Sequence, residues 1–588
     1  MNNQEIANLF QNIAAAYSIK DSRKFYFQSL AYQKASEAIE TSTTELKDLY
    51  KEDRLGEVSG LGVTIQSRLE ELFKNGSVAH FKEVLKGIPE SVFILMRVPT
   101  IGPKKAYKLA VKLALNDPKT ALDDLIVKAK NHEIAKIESF GEKSEQDILR
   151  ALTEYREGKG KVTRMVLPFA AEIAEKVLNY LKQSSSITKA VPLSSLRRMM
   201  PTIGDIDIAV ATDKPAEAIE HFVNYPYKDR IIEKGPTSAS ILTSGGKQVD
   251  LMTTSPKGFG ALLQHFTGSK NHNVKLREYA LKKGLSLSEH GIKDLKTGKI
   301  SQYDTEEKFY NSLGMDWIPP EVREDTGEIE LAIQHNLPKL VELSDIKGDL
   351  HLHSSFPIQP SHDLGFTDAK EMAEFARKLK YEYIGFSEHN PSVSRHTKDE
   401  IYSLIARRNE HIEQIKESTK DVRIIKMLEI DILASGELAV DDKSMKLLDA
   451  AIVSIHSSFN TNKKDMTKRV LRGLGHPKAK ILAHPTGRIL NERSGYELDF
   501  EQIFDFCKKN NKALEINSWP QRLDLSDIMI REAIKHGVKL VIDTDSHEVS
   551  QMALMRYGVS MARRGWATKS DIINALNYSE FIEWLKAR

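Results

Sequence analysis

The chain has 588 residues, of which 40% are hydrophobic and 28% charged, and its formal net charge is +3. That length and balance predict about three to four soluble domains with real cores, and no strongly basic composition announces nucleic acid, so any DNA groove has to be a local feature. The one cysteine, Cys507, excludes an intramolecular disulfide; with no signal peptide and no apolar run of spanning length, a cytoplasmic protein with no membrane partner is expected.

Residues from Asn2 to about Leu49 read as short amphipathic helices. Gly60-Leu61-Gly62 follows, then the helical pattern Ile65, Leu69, Leu72. Similar units return at Val98-Pro99-Thr100-Ile101-Gly102-Pro103-Lys104-Lys105 and at Ile137-Glu138-Ser139-Phe140-Gly141-Glu142-Lys143-Ser144. Each puts an apolar residue before a glycine and then a helix start. Glycine lets the backbone approach a phosphate, and the N–H groups at the helix start receive the charge. A single Gly-x-Gly is also what an ordinary helix-ending turn looks like. The repeated set resembles the helix-hairpin-helix motif. That resemblance implies DNA-backbone contacts at Gly60, Gly62, Gly102, Lys104, Lys105, Gly141 and Lys143, carrying no sequence information. A small helical domain is expected over 1–80 and a fingers-like helical domain over 81–155.

The linker Glu157-Gly158-Lys159-Gly160-Lys161 leads to Arg164 and an amphipathic helix from about Phe169 to Leu181. Next comes Ser195-Leu196-Arg197-Arg198-Met199-Met200-Pro201-Thr202-Ile203-Gly204-Asp205-Ile206-Asp207, running into the buried strand Ile206–Val210. Residues two apart on a strand share a face, so Asp205 and Asp207 leave it side by side. Such carboxylates repel unless a cation sits between them, and Mg²⁺ or Mn²⁺ suits an all-oxygen site. Asp250, in the strand-like run Lys247–Leu251, offers a third carboxylate. Arg197 and Arg198 can face phosphate oxygens.

This order resembles the palm of the family X DNA polymerases: Gly-Ser-x-Arg-Arg, then Gly-Asp-x-Asp, then a third Asp. Here Ser194 stands for the Gly, Met199 for a frequent Gly, and Met252 for a usual Arg. The family's Tyr-Phe-Thr-Gly-Ser turn against the nucleotide sugar becomes His265-Phe266-Thr267-Gly268-Ser269. The resemblance implies that Asp205, Asp207 and Asp250 are catalytic and hold the metals. It implies nucleotide contacts at Arg164, Ser195, Arg198, Gly204, Phe266, Gly268 and Asn273, and a template contact at Arg277. It sets the palm at 156–255 and the thumb at 256–328, which closes on Trp317–Glu324. Aligned on Gly60-Leu61-Gly62, it places Arg68 where relatives carry a lyase lysine; a guanidinium cannot be that amine nucleophile.

Residues 329–345 read as a linker. Beyond it, apolar runs end at Leu352, Phe386, Ile430, Ile455, Leu482, Ile516 and Ile542, which predicts about seven βα units in a closed or nearly closed barrel. Polar residues fall at those strand ends, where such barrels hold their sites: Asp349, His351, His353, Glu388, His389, Glu429, His456, His484, Asp545 and His547. Imidazoles mixed with carboxylates suit Mn²⁺, Zn²⁺ or Fe²⁺, and their number calls for on the order of two to three ions. Clusters of that kind bridge a phosphate.

This part, 346–588, resembles the PHP (polymerase and histidinol phosphatase) phosphoesterase domain. The resemblance implies metal ligation by His351, His353, His389, Glu429, His456, His484, Asp545 and His547, with Asp363 as the nearest candidate for a further aspartate. Asn517 and Arg522 are expected to face substrate phosphate. The fold class expected is multidomain α+β and α/β: a helix-hairpin-helix region, a nucleotidyltransferase-type palm and thumb, and a distorted (β/α)7 PHP barrel. The expected function is gap-filling DNA polymerase with a metal-dependent 3′–5′ exonuclease in the PHP domain. It would act as a monomer on gapped or primer-template DNA with deoxynucleoside triphosphates. The alternative is a PHP phosphoesterase whose polymerase half is only a DNA-binding platform, and a non-catalytic scaffold comes after that.

Overall fold

A computed structural model describes the chain apart from residues 2, 23, 41–45, 52–54, 58–60, 99–100, 157–163, 494 and 588. Gly60 and the linker at 157–161 lie outside the described residues. The chain divides into two compact units, 1–163 and 164–588.

The first unit is helical. It opens with longer helices than the sequence pattern implied, Asn3–Asp21 and Tyr26–Glu40. They bury an aromatic cluster in which Phe10 meets Tyr32 and Phe81 edge-on at 5.4 and 5.6 Å. Each expected glycine turn sits at a helix start. Gly62 precedes α1 (Val63–Asn75), Gly102 precedes α2 (Pro103–Lys112), and Gly141 precedes α3 (Glu142–Arg156). Among the described residues, no heavy atom beyond the chain neighbours lies within 4 Å of where a Cβ would stand at Gly62, Gly102 or Gly141.

The second unit begins with α4 (Leu167–Leu181) and a five-stranded sheet. Its strands are β1 (Lys189–Pro192), β2 (Ile206–Ala211), β3 (Lys228–Lys234), β4 (Ser238–Thr243) and β5 (Gln248–Thr254), in the order β1-β2-β5-β4-β3. β2 and β5 are parallel neighbours, in register Asp207 to Asp250. α5 (Phe259–Thr267) and α6 (Lys270–Lys282) follow.

A small antiparallel sheet of Leu285–Ser288, Gly291–Asp294 and Ile300–Ser301 comes next, and from Gly348 on the strands form a parallel sheet broken in two places. β6 (Gly348–Leu352), β7 (Tyr383–Phe386) and β8 (Arg423–Lys426) make one piece. β9 (Glu429–Asp431), β10 (Ala451–Ser454), β11 (Ala479–Leu482), β12 (Ala513–Asn517) and β13 (Lys539–Asp543) make the other. β8 and β9 lie on one run interrupted at Met427–Leu428, so the strand runs number seven. A parallel bridge from His389 to Glu429 spans one break, and one from Leu352 to Ser546 closes the ring. β6 and β12 are buried along their whole length, as parallel strands covered on both faces must be. Phe581, from the helix Tyr578–Lys586, stacks on Tyr383 at 4.5 Å and fills the barrel interior.

Within 164–588 one large hydrophobic core runs from Met165 and Ile206 to Ile542 and Ala575, while residues from Ala261 to Leu340 pack as a core of their own. The stretch expected as the thumb, 256–328, supplies most of that separate core, and its last members run on to Leu340. The stretch expected as a linker is packed: Val341 is fully buried and its N–H bonds to the Ala567 carbonyl at 2.9 Å. No helix among the described residues is long and apolar enough to cross a membrane.

Candidate metal centres

Asp207 on β2 and Asp250 on β5 stand side by side, and Asp205 just precedes β2. A ligand oxygen from each lies within 4.8 Å of the others. Burial, with the charges of Asp205 and Asp250, pushes the Asp207 carboxyl up to about 6, although a Ser194 hydrogen bond opposes the shift. Three carboxylates this close cost folding energy unless a cation offsets them. Their all-oxygen donor set fits Mg²⁺ or Mn²⁺.

The expected nucleotide-binding residues gather beside this group. Ser195 and Arg197 lie on the short helix Ser194–Arg197. Ser194 adopts φ +49° and its hydroxyl donates to the Phe266 carbonyl at 3.1 Å. Arg164 donates to the Thr202 hydroxyl and carbonyl at 2.8 and 2.7 Å, and a Cβ at Gly204 would meet its guanidinium at 3.6 Å. Arg198 bonds to the Glu324 carboxylate at 3.0 Å and to the Thr267 carbonyl. Gly268, at φ +66°, lies so near this guanidinium that a Cβ would stand 3.1 Å from Nη1. Arg197 does not reach into the open site. It pairs with Glu306, which also takes Arg323 at 2.7 Å. Asn273 is held by the His265 carbonyl at 2.7 Å and by Gln264 at 2.8 Å, and Arg277 stays exposed beside His265.

In the first unit, Lys105 and Lys143 are exposed, Lys104 donates to the Ser22 hydroxyl at 2.7 Å, and Arg68 pairs with Glu71 at 3.1 Å.

The barrel centre is built from strand ends. Glu429, at the start of β9, is its hub. Its Oε2 lies 3.1 Å from His351 Nε2, 3.6 Å from His353 Nε2 and 3.0 Å from His389 Nδ1. Its Oε1 lies 3.0 Å from His484 Nε2 and 3.4 Å from His456 Nε2. Asp545 approaches His353 at 3.2 Å and His351 at 3.5 Å. Asp363 stands between His389, at 3.1 Å, and His547, at 3.2 Å. All the expected barrel ligands, Asp363 included, therefore converge. Glu388 does not: it accepts from Ser354 and Arg408 instead.

The donor atoms fit divalent ions on a specific ground. His351 Nε2, both nitrogens of His353, His389 Nδ1, His547 Nε2 and Glu429 Oε2 are buried and have no hydrogen-bond partner among the described residues. Native proteins rarely leave so many buried polar atoms unpaired, and bound cations would satisfy the carboxylate oxygen and one nitrogen of each imidazole. Burial, with His547 beside it, lowers the His353 pKa to about 3, which keeps the ring neutral and one nitrogen lone pair available. Burial opposes ionisation of Glu429, yet the imidazoles of His389, His351 and His456 hold it well below the usual range.

The sequence pattern missed an outer layer. Glu515 accepts from His351 Nδ1 at 2.6 Å and fixes that ring. Asp431 holds His456 Nδ1 at 2.8 Å and His362 Nε2 at 3.1 Å, adding a possible ion site of His362, Asp431 and His456. Asp431 follows Glu429 by two residues on β9, and that spacing was the available signal. Asn517, expected to face substrate, is buried and donates to Asp545 at 3.1 Å. Arg522 stands 3.8 Å from the same carboxylate.

Residues 1–78 match the helix-hairpin-helix domain model, and residues 262–324 match that of the DNA polymerase beta thumb. The chain is 33% identical over 588 residues to the DNA polymerase/3′-5′ exonuclease PolX of Bacillus subtilis, covering 100% of each chain. Over 77 residues it is 36% identical to human DNA-directed DNA/RNA polymerase mu, covering 13% of this chain and 16% of that one. Over 100 residues it is 29% identical to a probable phosphatase of Photobacterium profundum, covering 16% of this chain and 38% of that one.

Proposed function

The chain belongs to the family X DNA polymerases, and from that premise we propose that it both adds nucleotides to DNA 3′ ends and removes them, at two separate metal centres. The observation that carries this reading is the pair of ligand sets within one chain: three carboxylates at the palm strands and a histidine-rich cluster at the barrel strand ends.

In the palm, Asp205, Asp207 and Asp250 would hold Mg²⁺ or Mn²⁺, and Asp250 would take the proton of the primer 3′-hydroxyl. Bound ions there supply charge neutralisation for the transferred phosphoryl group. Arg198 and Arg164 would meet the triphosphate, with Ser195 and Gly204 beside it. Phe266 and Gly268 would meet the sugar, Asn273 the base edge and Arg277 the template.

In the barrel, His351, His353, Asp363, His389, Glu429, His456, His484, Asp545 and His547 would hold two or three Mn²⁺, Zn²⁺ or Fe²⁺ ions. Bound ions there supply Lewis acidity and activate water at a phosphodiester. Glu515 and Asp431 would orient the imidazoles, and Asn517 would hold Asp545. The glycine turns at Gly62, Gly102 and Gly141, with Lys104, Lys105 and Lys143, would hold the DNA backbone without reading sequence.

The DNA is gapped or primer-template duplex, the co-substrates are deoxynucleoside triphosphates, and the protein works as a monomer in the cytoplasm. Incubation with a labelled gapped duplex and Mn²⁺ tests the reading. Extension should appear with deoxynucleotides and shortening without them. Retention of the DNA unchanged under both conditions would remove both activities, and shortening alone would favour the platform reading of the palm half.

A further inference from the structure

We propose that Arg564, in the barrel region, is a positioning residue for nucleotide addition in the palm, acting through Arg198. This rests on the reading of Arg198 as a triphosphate contact.

Arg564 ends α7 (Met555–Arg564), a helix that packs on the barrel. Its Nη1 donates to the Arg198 carbonyl at 2.8 Å and to Glu324 Oε1 at 3.2 Å. The same Glu324 oxygen accepts from Arg198 Nε at 3.0 Å. Arg564 thus fixes Arg198 at both ends: its main chain directly, and its side chain through a shared carboxylate. Arg564 Nη2 pairs with Asp527. With Arg198 Nε on Glu324 and one Nη1 hydrogen on the Thr267 carbonyl, Nη2, which takes part in none of these bonds, keeps both of its N–H donors for a phosphate.

Charge gives the contact a second role. Glu324 alone would neutralise Arg198. With Arg564 in place, two guanidiniums balance the carboxylates of Glu324 and Asp527, so Arg198 is not outnumbered by negative charge. The Arg564 side chain is only 2% exposed and Glu324 27%, so these charges act across a few ångströms with little solvent between them. Without Arg564, the carboxylates of Glu324 and Asp527 face a single guanidinium beside the triphosphate. Among the described residues, no comparable link joins Arg563 to Arg198 or Glu324. It reaches Glu321 Oε1 at 2.7 Å and the Val341 carbonyl at 3.0 Å, and ties the same two regions together without touching Arg198 or Glu324.

Single-nucleotide insertion into a short gap, with the triphosphate varied, separates positioning from general packing. Arg564→Gln should raise the triphosphate KM about tenfold with kcat within about twofold. Arg564→Lys, which keeps the charge, should recover most of the affinity. Arg563→Gln should leave KM at the wild-type value. All three should shorten single-stranded DNA at the wild-type rate. If Arg564→Gln loses that activity as well, the double change with Asp527→Asn removes the buried carboxylate left unpaired and carries the same test. An unchanged KM in Arg564→Gln, or an equal rise in Arg563→Gln, overturns the proposal. Arg198→Ala is the parallel arm. If it leaves KM unchanged, the reading of Arg198 itself fails; if it raises KM while Arg564→Gln does not, only the proposal does.

Discussion

Asp207 and Asp250 face each other across neighbouring parallel strands, β2 and β5, with Asp205 completing a three-carboxylate group. The arrangement costs stability in the absence of a cation. The folded Asp207 pKa is raised to about 6 from 3.8, so the folded state binds its proton more tightly than the unfolded chain does. Stability from this group is therefore full below the unfolded value and lost as pH rises through about 6. Metal-free Asp207→Asn should be more stable than metal-free wild type at pH 7.5 by about 1–3 kcal/mol. The gap should close as pH falls below about 4, near the unfolded carboxylate value. The same variant should lose nucleotide addition. Urea titrations of chelator-treated protein at both pH values give the comparison, and a wild type as stable as the variant at pH 7.5 contradicts it.

Glu306 sits between Arg197 and Arg323, with the Trp317 indole N–H 3.2 Å away. Burial disfavours its charge, but the two guanidiniums hold its pKa down at about 2. Its contribution is present above the unfolded carboxylate value of 4.5 and is lost as pH falls toward 2. Glu306→Gln leaves two guanidiniums without a counter-charge and should cost about 3–5 kcal/mol. Denaturant unfolding at pH 7 measures this. The difference between variant and wild type should shrink as the buffer is taken from pH 5 to pH 3.

Where spacing and strand position determine geometry, the sequence was legible. Asp-x-Asp put Asp205 and Asp207 side by side, and apolar runs ending in His or acid led to the side chains that converge at the barrel centre. What escaped is what spacing cannot carry. Arg197 reads as a phosphate contact because its partner Glu306 lies more than a hundred residues away. Asn517 read as a substrate contact because nothing local tells that Asp545 needs a donor. The stretch 329–345 reads as a tether from its polar composition, while Val341 is buried by a long-range pairing to Ala567.

Asp431 holds the Nδ1 side of His456, which turns Nε2 toward Glu429. Removing such a support lets the ring rotate and weakens the ion it serves, by about 10–100-fold in affinity. Asp431→Asn should therefore need more Mn²⁺ for half-maximal 3′-end trimming, and excess Mn²⁺ should restore the rate. Loss that no Mn²⁺ concentration restores would instead make Asp431 part of the reacting centre. Metal content after dialysis gives an independent readout and should fall in the variant.

His351 and His353 leave β6 and its end toward the same hub, Glu429, and toward Asp545. The palm carboxylates stand on β2 and β5 or just before β2, so the two groups share no residue. The double change His351→Ala with His353→Ala should abolish 3′-end trimming and leave nucleotide addition within about twofold, because addition depends on a separate ligand set. Glu429→Gln should match the double change on its own. It removes the carboxylate that five imidazoles face, and with it the negative charge that attracts cations into the barrel. Trimming and extension of one labelled primer, read on the same gel with and without deoxynucleotides, report both activities. Trimming at the wild-type rate in either variant, with contaminating nucleases excluded by an empty-vector preparation, would place the hydrolytic site elsewhere.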